Sequence, residues 1–138
     1  MVKKIIIGVV VVALLAVAVL FGQPLFSSVM NMVSPPPRLV VAPSIEFTVN
    51  LLDPGMRRFL RLRMSFEYYD NSKLVAEINE RDAQVRDTVL AVLRTRSVSD
   101  LVTNDNITKL RQDLIAALND ILEHGDIVNI YFVEFAIQ

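Results

Sequence analysis

Hydrophobic and polar positions follow three different rules along this chain. Residues 5–22 carry no charged or hydrogen-bonding side chain at all. As a helix at about 1.5 Å per residue they reach roughly 27 Å, close to the ~30 Å hydrocarbon core of a bilayer. Only a helix satisfies its own backbone in lipid, so the many β-branched residues do not argue for a strand, and a transmembrane helix is predicted over 5–22. Leu25, Phe26, Val29, Met30 and Val33 then recur at helical spacing, with Ser27, Ser28 and Asn31 largely off the stripe. The helix is therefore able to continue to residue 33, kinked at Pro24, until Pro35-Pro36-Pro37 stops it. Residues 34–43 read as a proline-rich, semi-rigid linker.

A folded domain is expected over 44–138. Ile45, Phe47, Val49 and Leu51 alternate with Glu46, Thr48 and Asn50, the period of a strand with one buried face. After the turn chemistry of Asp53-Pro54-Gly55, Leu60, Leu62, Met64, Phe66 and Tyr68 point one way and Arg61, Arg63, Ser65 and Glu67 the other. Two such runs joined by a short loop predict an antiparallel hairpin whose outer face carries Arg61 and Arg63. From Leu74 the period becomes helical. Leu74, Ile78, Val85, Val89, Val92 and Leu93 suit one helix or two broken near Arg81, with Asp82 as a candidate N-cap. A short connection at Ser97-Val98-Ser99-Asp100-Leu101 leads to a longer helix capped by Asn104 or Asp105, whose apolar stripe runs from Ile107 to Leu122 and which Gly125 would stop. Residues 127–138 are strongly β in propensity and apolar on both alternations apart from Asn129 and Glu134, the pattern of a strand covered on both sides or central in its sheet. The fold class is thus α+β, mainly an antiparallel sheet packed with helices.

Charge adds an orientation. Lys3 and Lys4 are the only charges before Arg38, so residues 1–4 are expected in the cytoplasm and the domain on the far side of the membrane. A cleaved signal peptide is the alternative, but the apolar run is long for one and Phe21-Gly22-Gln23-Pro24 is a poor cleavage site. The net charge of −1 gives no electrostatic case for nucleic acid. With no cysteine and one histidine, neither a disulfide scaffold nor a thiolate metal site is available. His124 reads as a cation at a helix C-terminus. The four glycines are too dispersed for a phosphate loop, and the charged run from Glu77 to Asp82 reads as a solvated helix face. No catalytic, cofactor or metal residue is assigned, and an enzyme is not expected.

The ending is informative in another way. Tyr131-Phe132-Val133-Glu134-Phe135-Ala136-Ile137-Gln138 resembles the closing Tyr-Phe-Thr-Glu-Phe-Val-Ile-Gln of the flagellar basal-body protein family FliL. Phe47-Thr48-Val49-Asn50-Leu51, Val85-Arg86-Asp87, Ser99-Asp100-Leu101 and Leu110-Arg111 with Asn119 and Leu122 resemble further segments of that family in the same order. Val133 and Ala136 depart from the end motif, and Asn104-Asp105-Asn106 stands where the family has a glycine. The resemblance implies a single-pass protein of the bacterial inner membrane with a stomatin-like (SPFH-like) periplasmic domain. It also implies a homo-oligomeric ring around the stator proteins MotA and MotB of the flagellar motor, supporting torque, with membrane lipid as the further partner. On that footing Leu25, Phe26, Val29, Met30 and Val33 become a candidate contact with a neighbouring subunit or stator segment, the alternative being a helix lying among lipid headgroups. Arg61 and Arg63 are a candidate oligomer or stator contact, with Glu77 and Glu80 as a complementary patch; the alternative there is a solvated face.

Overall fold

The computed structural model describes residues 36–138 apart from Met56, together with Ala13. The expected membrane helix, the lysines before it and the apolar stripe after it lie outside the described residues. Among the described residues no helix is long and apolar enough to cross a membrane.

Residues Pro37–Gln138 form one unit, ordered β1 (Leu39–Val41), β2 (Ile45–Asn50), β3 (Phe59–Tyr69), α1 (Ser72–Glu80), α2 (Asp82–Arg94), a 3-10 turn (Val98–Leu101), α3 (Asn104–Ile121) and β4 (Ile127–Ile137). The α+β class and the β2–β3 hairpin agree with the sequence pattern. Phe47, Val49 and Leu51 face the same core as Leu60, Leu62, Met64, Phe66 and Tyr68. The helices cover that face with Leu74, Val85, Val89, Leu93, Leu110, Leu114 and Leu118, all at most 1% exposed. Burying each such side chain contributes roughly 1.5–3 kcal/mol, so packing alone suffices for a domain with no disulfide.

All strand pairs are antiparallel. β3 is the centre of the sheet: β1 and β2 occupy one of its edges in succession, and β4 runs along the other. This corrects two expectations. The proline-rich pattern runs the linker through residue 43, but Leu39–Val41 is a strand, with Leu39 opposite Tyr69 and Val41 opposite Glu67. Three residues after a proline run carry no readable period, yet β3 outlasts β2 and leaves an edge for them to fill. The terminal strand, in turn, is not central. β4 pairs with β3 alone and is an edge strand among the described residues.

The helix boundaries move for local reasons. Two helices do break at Arg81, whose φ of −98° and ψ of 21° leave the helical region, but Asp82 is the first residue of α2 rather than its cap. Its carboxylate instead accepts from Arg86 one turn later. Thr103, not Asn104 or Asp105, caps α3 by accepting the Asn106 N–H at 3.2 Å. The connection before it is a 3-10 turn closed by a capping box, Ser97 with Asp100. α3 ends at Ile121 with Leu122 already extended, so His124 lies beyond the helix rather than in its last turn.

Candidate functional site

The described surface offers two arrangements of interacting polar groups, one on the helix side and one on the bare face of the sheet.

On the helix side, Glu77 is the residue that sequence reasoning misplaced. The charge pattern places it in a solvated run, yet it is only 4% exposed. The loop after α3 folds over it: the carboxylate accepts the backbone N–H of Glu123 at 3.0 Å and of His124 at 2.9 Å. His124 Nδ1 lies 3.1 Å from the same carboxylate and must carry the proton in that contact, because an ionised carboxylate only accepts. Arg81 completes the cluster, donating to the Ile121 carbonyl and to Glu123. Burial pushes the Glu77 carboxyl up, but the backbone donors of His124 and Glu123, the His124 ring and Arg81 together hold it below the usual carboxylate range. Asn71 pins the same loop. Its Oδ1 caps α1 by accepting from Lys73 and Leu74, while its Nδ2 donates to the His124 carbonyl. Gly125 suits its position: its φ of +151° is one that L side chains rarely adopt, and a Cβ would stand a tight 3.3 Å from the Leu74 side chain. The cluster is thus a clamp that ties α1 to the start of β4. Its one sequence signal was a charged residue at the helical spacing of Leu74 and Ile78.

On the bare face, Arg61 and Arg63 point outward as expected, but they are already paired. Arg61 Nε donates to Glu46 Oε1 at 2.9 Å and lies 3.6 Å from Glu134, and Arg63 lies 3.4 Å from Glu134. The Glu46 hydrogen bond and the Glu134 and Glu46 charges raise the Arg61 guanidinium above its ordinary value. Two arginines and two glutamates on three adjacent strands make a locally neutral lattice. Glu77 does not complement them, being buried on the opposite layer.

The rest of that face is apolar towards one end. Leu39, Val41, Tyr69, Tyr131 and Val133 are 43–55% exposed. Tyr131 reaches across to donate to Glu67 at 3.0 Å. β4 also carries two bulges: its register against β3 skips Val133 and again Val128, both exposed. The residues that carried the family resemblance have structural work. Asn119 exchanges two hydrogen bonds with the Ile127 backbone, at 2.8 and 3.1 Å, seating α3 against the start of β4. Arg111 lies over the Phe132 ring and Arg86 over Phe47. Among the described residues no group of three or more histidine, cysteine or carboxylate side chains is placed to hold a metal ion. Concavities of about 290–390 Å³ dent the surface. The one containing Glu77 is lined by the clamp itself.

Comparison with known proteins gives a consistent answer. A family model described as flagellar basal body-associated protein FliL matches residues 41–138, from the end of β1 through β4. A flagellar protein FliL of Aquifex aeolicus is 27% identical over 92 residues, covering 67% of this chain and 56% of the relative. A flagellar protein FliL of Bacillus subtilis is 27% identical over 102 residues, covering 72% of this chain and 70% of the relative. The chain therefore spans little more than half the length of the Aquifex relative.

Proposed function

Since this chain belongs to the FliL family of flagellar basal body-associated proteins, we propose that it is a structural component of the basal body that surrounds the stator units MotA and MotB and supports their torque. In this reading Lys3 and Lys4 keep the N-terminus cytoplasmic and residues 5–22 anchor the chain in the inner membrane. The domain then stands in the periplasm, and copies of it associate into a ring. The observation that carries the reading is the family match over residues 41–138. The surface chemistry supports it: the polar groups around Glu77 clamp the domain's own chain, while the exposed Leu39, Val41, Tyr69, Tyr131 and Val133 gather on one bare sheet face, as suits an interaction protein.

Deletion of the gene in its own host, followed by swimming assays in media of rising viscosity, tests the role. Motility is expected to fall, and to fall further as load increases, with recovery on complementation. Unimpaired swimming at every load would remove the stator-support reading while leaving the family assignment intact.

A further inference from the structure

Among the described residues the two edges of the sheet are open and complementary, the β2 edge as far as Leu52, whose N–H donates to the Arg96 carbonyl at 2.7 Å. β3 directs the backbone groups of its odd-numbered residues to β4, as the paired hydrogen bonds between Phe59 and Gln138 show. Its even-numbered residues bond β1 and β2, as Ala42 N–H to the Phe66 carbonyl and Asp70 N–H to the Arg38 carbonyl show. By alternation the backbone groups of Leu39, Val41, Glu46, Thr48 and Asn50 point away from the sheet on one edge, and those of Phe135 and Ile137 on the other. Such edges are normally blunted by lysine or proline. β4 contains neither, and nor does β1 or β2. The bulges confine an added strand to short flat tracts of β4, but the bulged residues are exposed valines rather than charges. A groove of about 370 Å³ lies along β2 beside Thr48, Asn50 and the exposed Leu52.

We infer that the β4 edge of one copy pairs with the β1–β2 edge of the next, so that a single sheet runs from subunit to subunit. The occupant is a second copy because the two edges match at the same height. Val41, Glu67 and Asn129 form one cross-strand row, and Tyr131 stands next to that row on the same face. A sideways step therefore puts Val41 of one copy beside Asn129 of the next and, further along, Thr48 beside Ala136, so that the outward backbone groups of Thr48 fall between those of Phe135 and Ile137 as a parallel ladder requires. Polarity follows as well. β2 and β4 are both antiparallel to β3, so they run the same way. Neighbours related by a small rotation keep that direction, making the new pair parallel and the contact heterologous, the kind that closes into a ring. A two-fold β4–β4 contact would instead be antiparallel and would end at a dimer. The inference deepens the ring element of the proposed function by naming its interface.

The chain has no cysteine of its own, so engineered pairs report cleanly. Thr48 and Ala136 flank Arg61 on opposite sides. They are therefore two strand spacings apart, about 9.6 Å, too far for a disulfide within one chain. Full-length protein in detergent carrying both Thr48→Cys and Ala136→Cys, and a companion carrying Asn50→Cys with Ala136→Cys to allow for stagger, should oxidise to a ladder of covalent oligomers. Each single variant should stay a monomer on the same non-reducing gel. In the otherwise unmodified chain, Thr48→Pro removes an N–H that faces away from β3, so it should keep the thermal melt and lose the assembly in light scattering. Dimers from Ala136→Cys alone would overturn the inference in favour of the two-fold contact. Assembly by light scattering without any ladder would overturn it and leave the ring standing. Protein that is monomeric throughout would overturn both.

Discussion

β3 and β4 are both 11 residues long and lie side by side, but their surroundings invert what their side chains suggest. β3 carries Arg61, Arg63 and Glu67 on one face, as a half-solvated strand would, and yet it has hydrogen-bonded neighbours along both edges. β4 is apolar on both faces apart from Asn129 and Glu134 and yet has one neighbour among the described residues. Alternation of side chains records what covers the two faces of a strand. It carries no information about the two edges, where the backbone bonds. A strand apolar on both faces needs cover on both, and β4 has it on the helix side only. Val128, Tyr131 and Val133 remain 43–54% exposed. Their exposure marks the bare face; the open edge of β4 is a separate feature, set by its backbone groups.

The two strands should respond very differently to loss of a single apolar side chain. Leu62 on β3 is fully buried between β2 and β4, so Leu62→Ala leaves a cavity in a packed layer. A cost of about 2–5 kcal/mol is expected for a change of this kind, a large share of a typical domain's 5–15 kcal/mol. Val133 on β4 is 54% exposed in a bulge, and Val133→Ala should stay within about 0.5 kcal/mol. Urea denaturation of the two variants measures the gap. Equal costs would mean that Val133 is covered in the protein as studied.

A smaller difference, visible through pH, concerns how the start of β4 is held. The Glu77 carboxyl is depressed in the folded state, so it binds its proton more weakly there than in the unfolded chain. Its contribution is complete above the ordinary carboxylate range and is lost as the pH falls through the depressed folded value. Asp100, held down first by the backbone N–H of Ser97 and then by its hydroxyl, acts in the same direction. Glu77→Gln should therefore melt earlier than the parent at neutral pH, and the two curves should converge as the solution is acidified. A gap that stays constant down to strongly acidic pH would mean that the side chain acts through its shape and not through its charge.

Much of this was legible beforehand. The alternations of β2 and β3 named the buried face residue by residue, because a single face packs against the helices. The hairpin followed from turn chemistry at Asp53-Pro54-Gly55, whereas the period left one helix or two open, and the break at Arg81 decides for two. What stayed hidden depends on distant neighbours. β1 is a strand only because β3 extends past β2. Glu77 is buried only because a loop some forty-six residues later closes over it. The partners of Arg61 and Arg63 come from strands at either side, at separations that no local pattern reports.

The smallest effect belongs to that arginine lattice, and it tests how the bare face is occupied. Arg61 is about half exposed, with its guanidinium shared between Glu46 on β2 and Glu134 on β4. Exposed ion pairs contribute little, because water screens them and two long side chains must be ordered to form them. Arg61→Ala should therefore leave the melting temperature nearly unchanged. Arg61→Glu would set a third carboxylate between two others and should lower it modestly at low salt. That loss should shrink near 1 M salt, where the screening length is only about 3 Å. Thermal melts of both variants at low and high salt read this directly. A loss that survives high salt in both variants would assign the contribution to the arginine's aliphatic stem lying across the sheet. If instead stability is untouched while the assembly of full-length protein weakens at low salt, the guanidinium must reach beyond its own glutamates. In that case the bare face as well as the sheet edge would belong to the contact between copies.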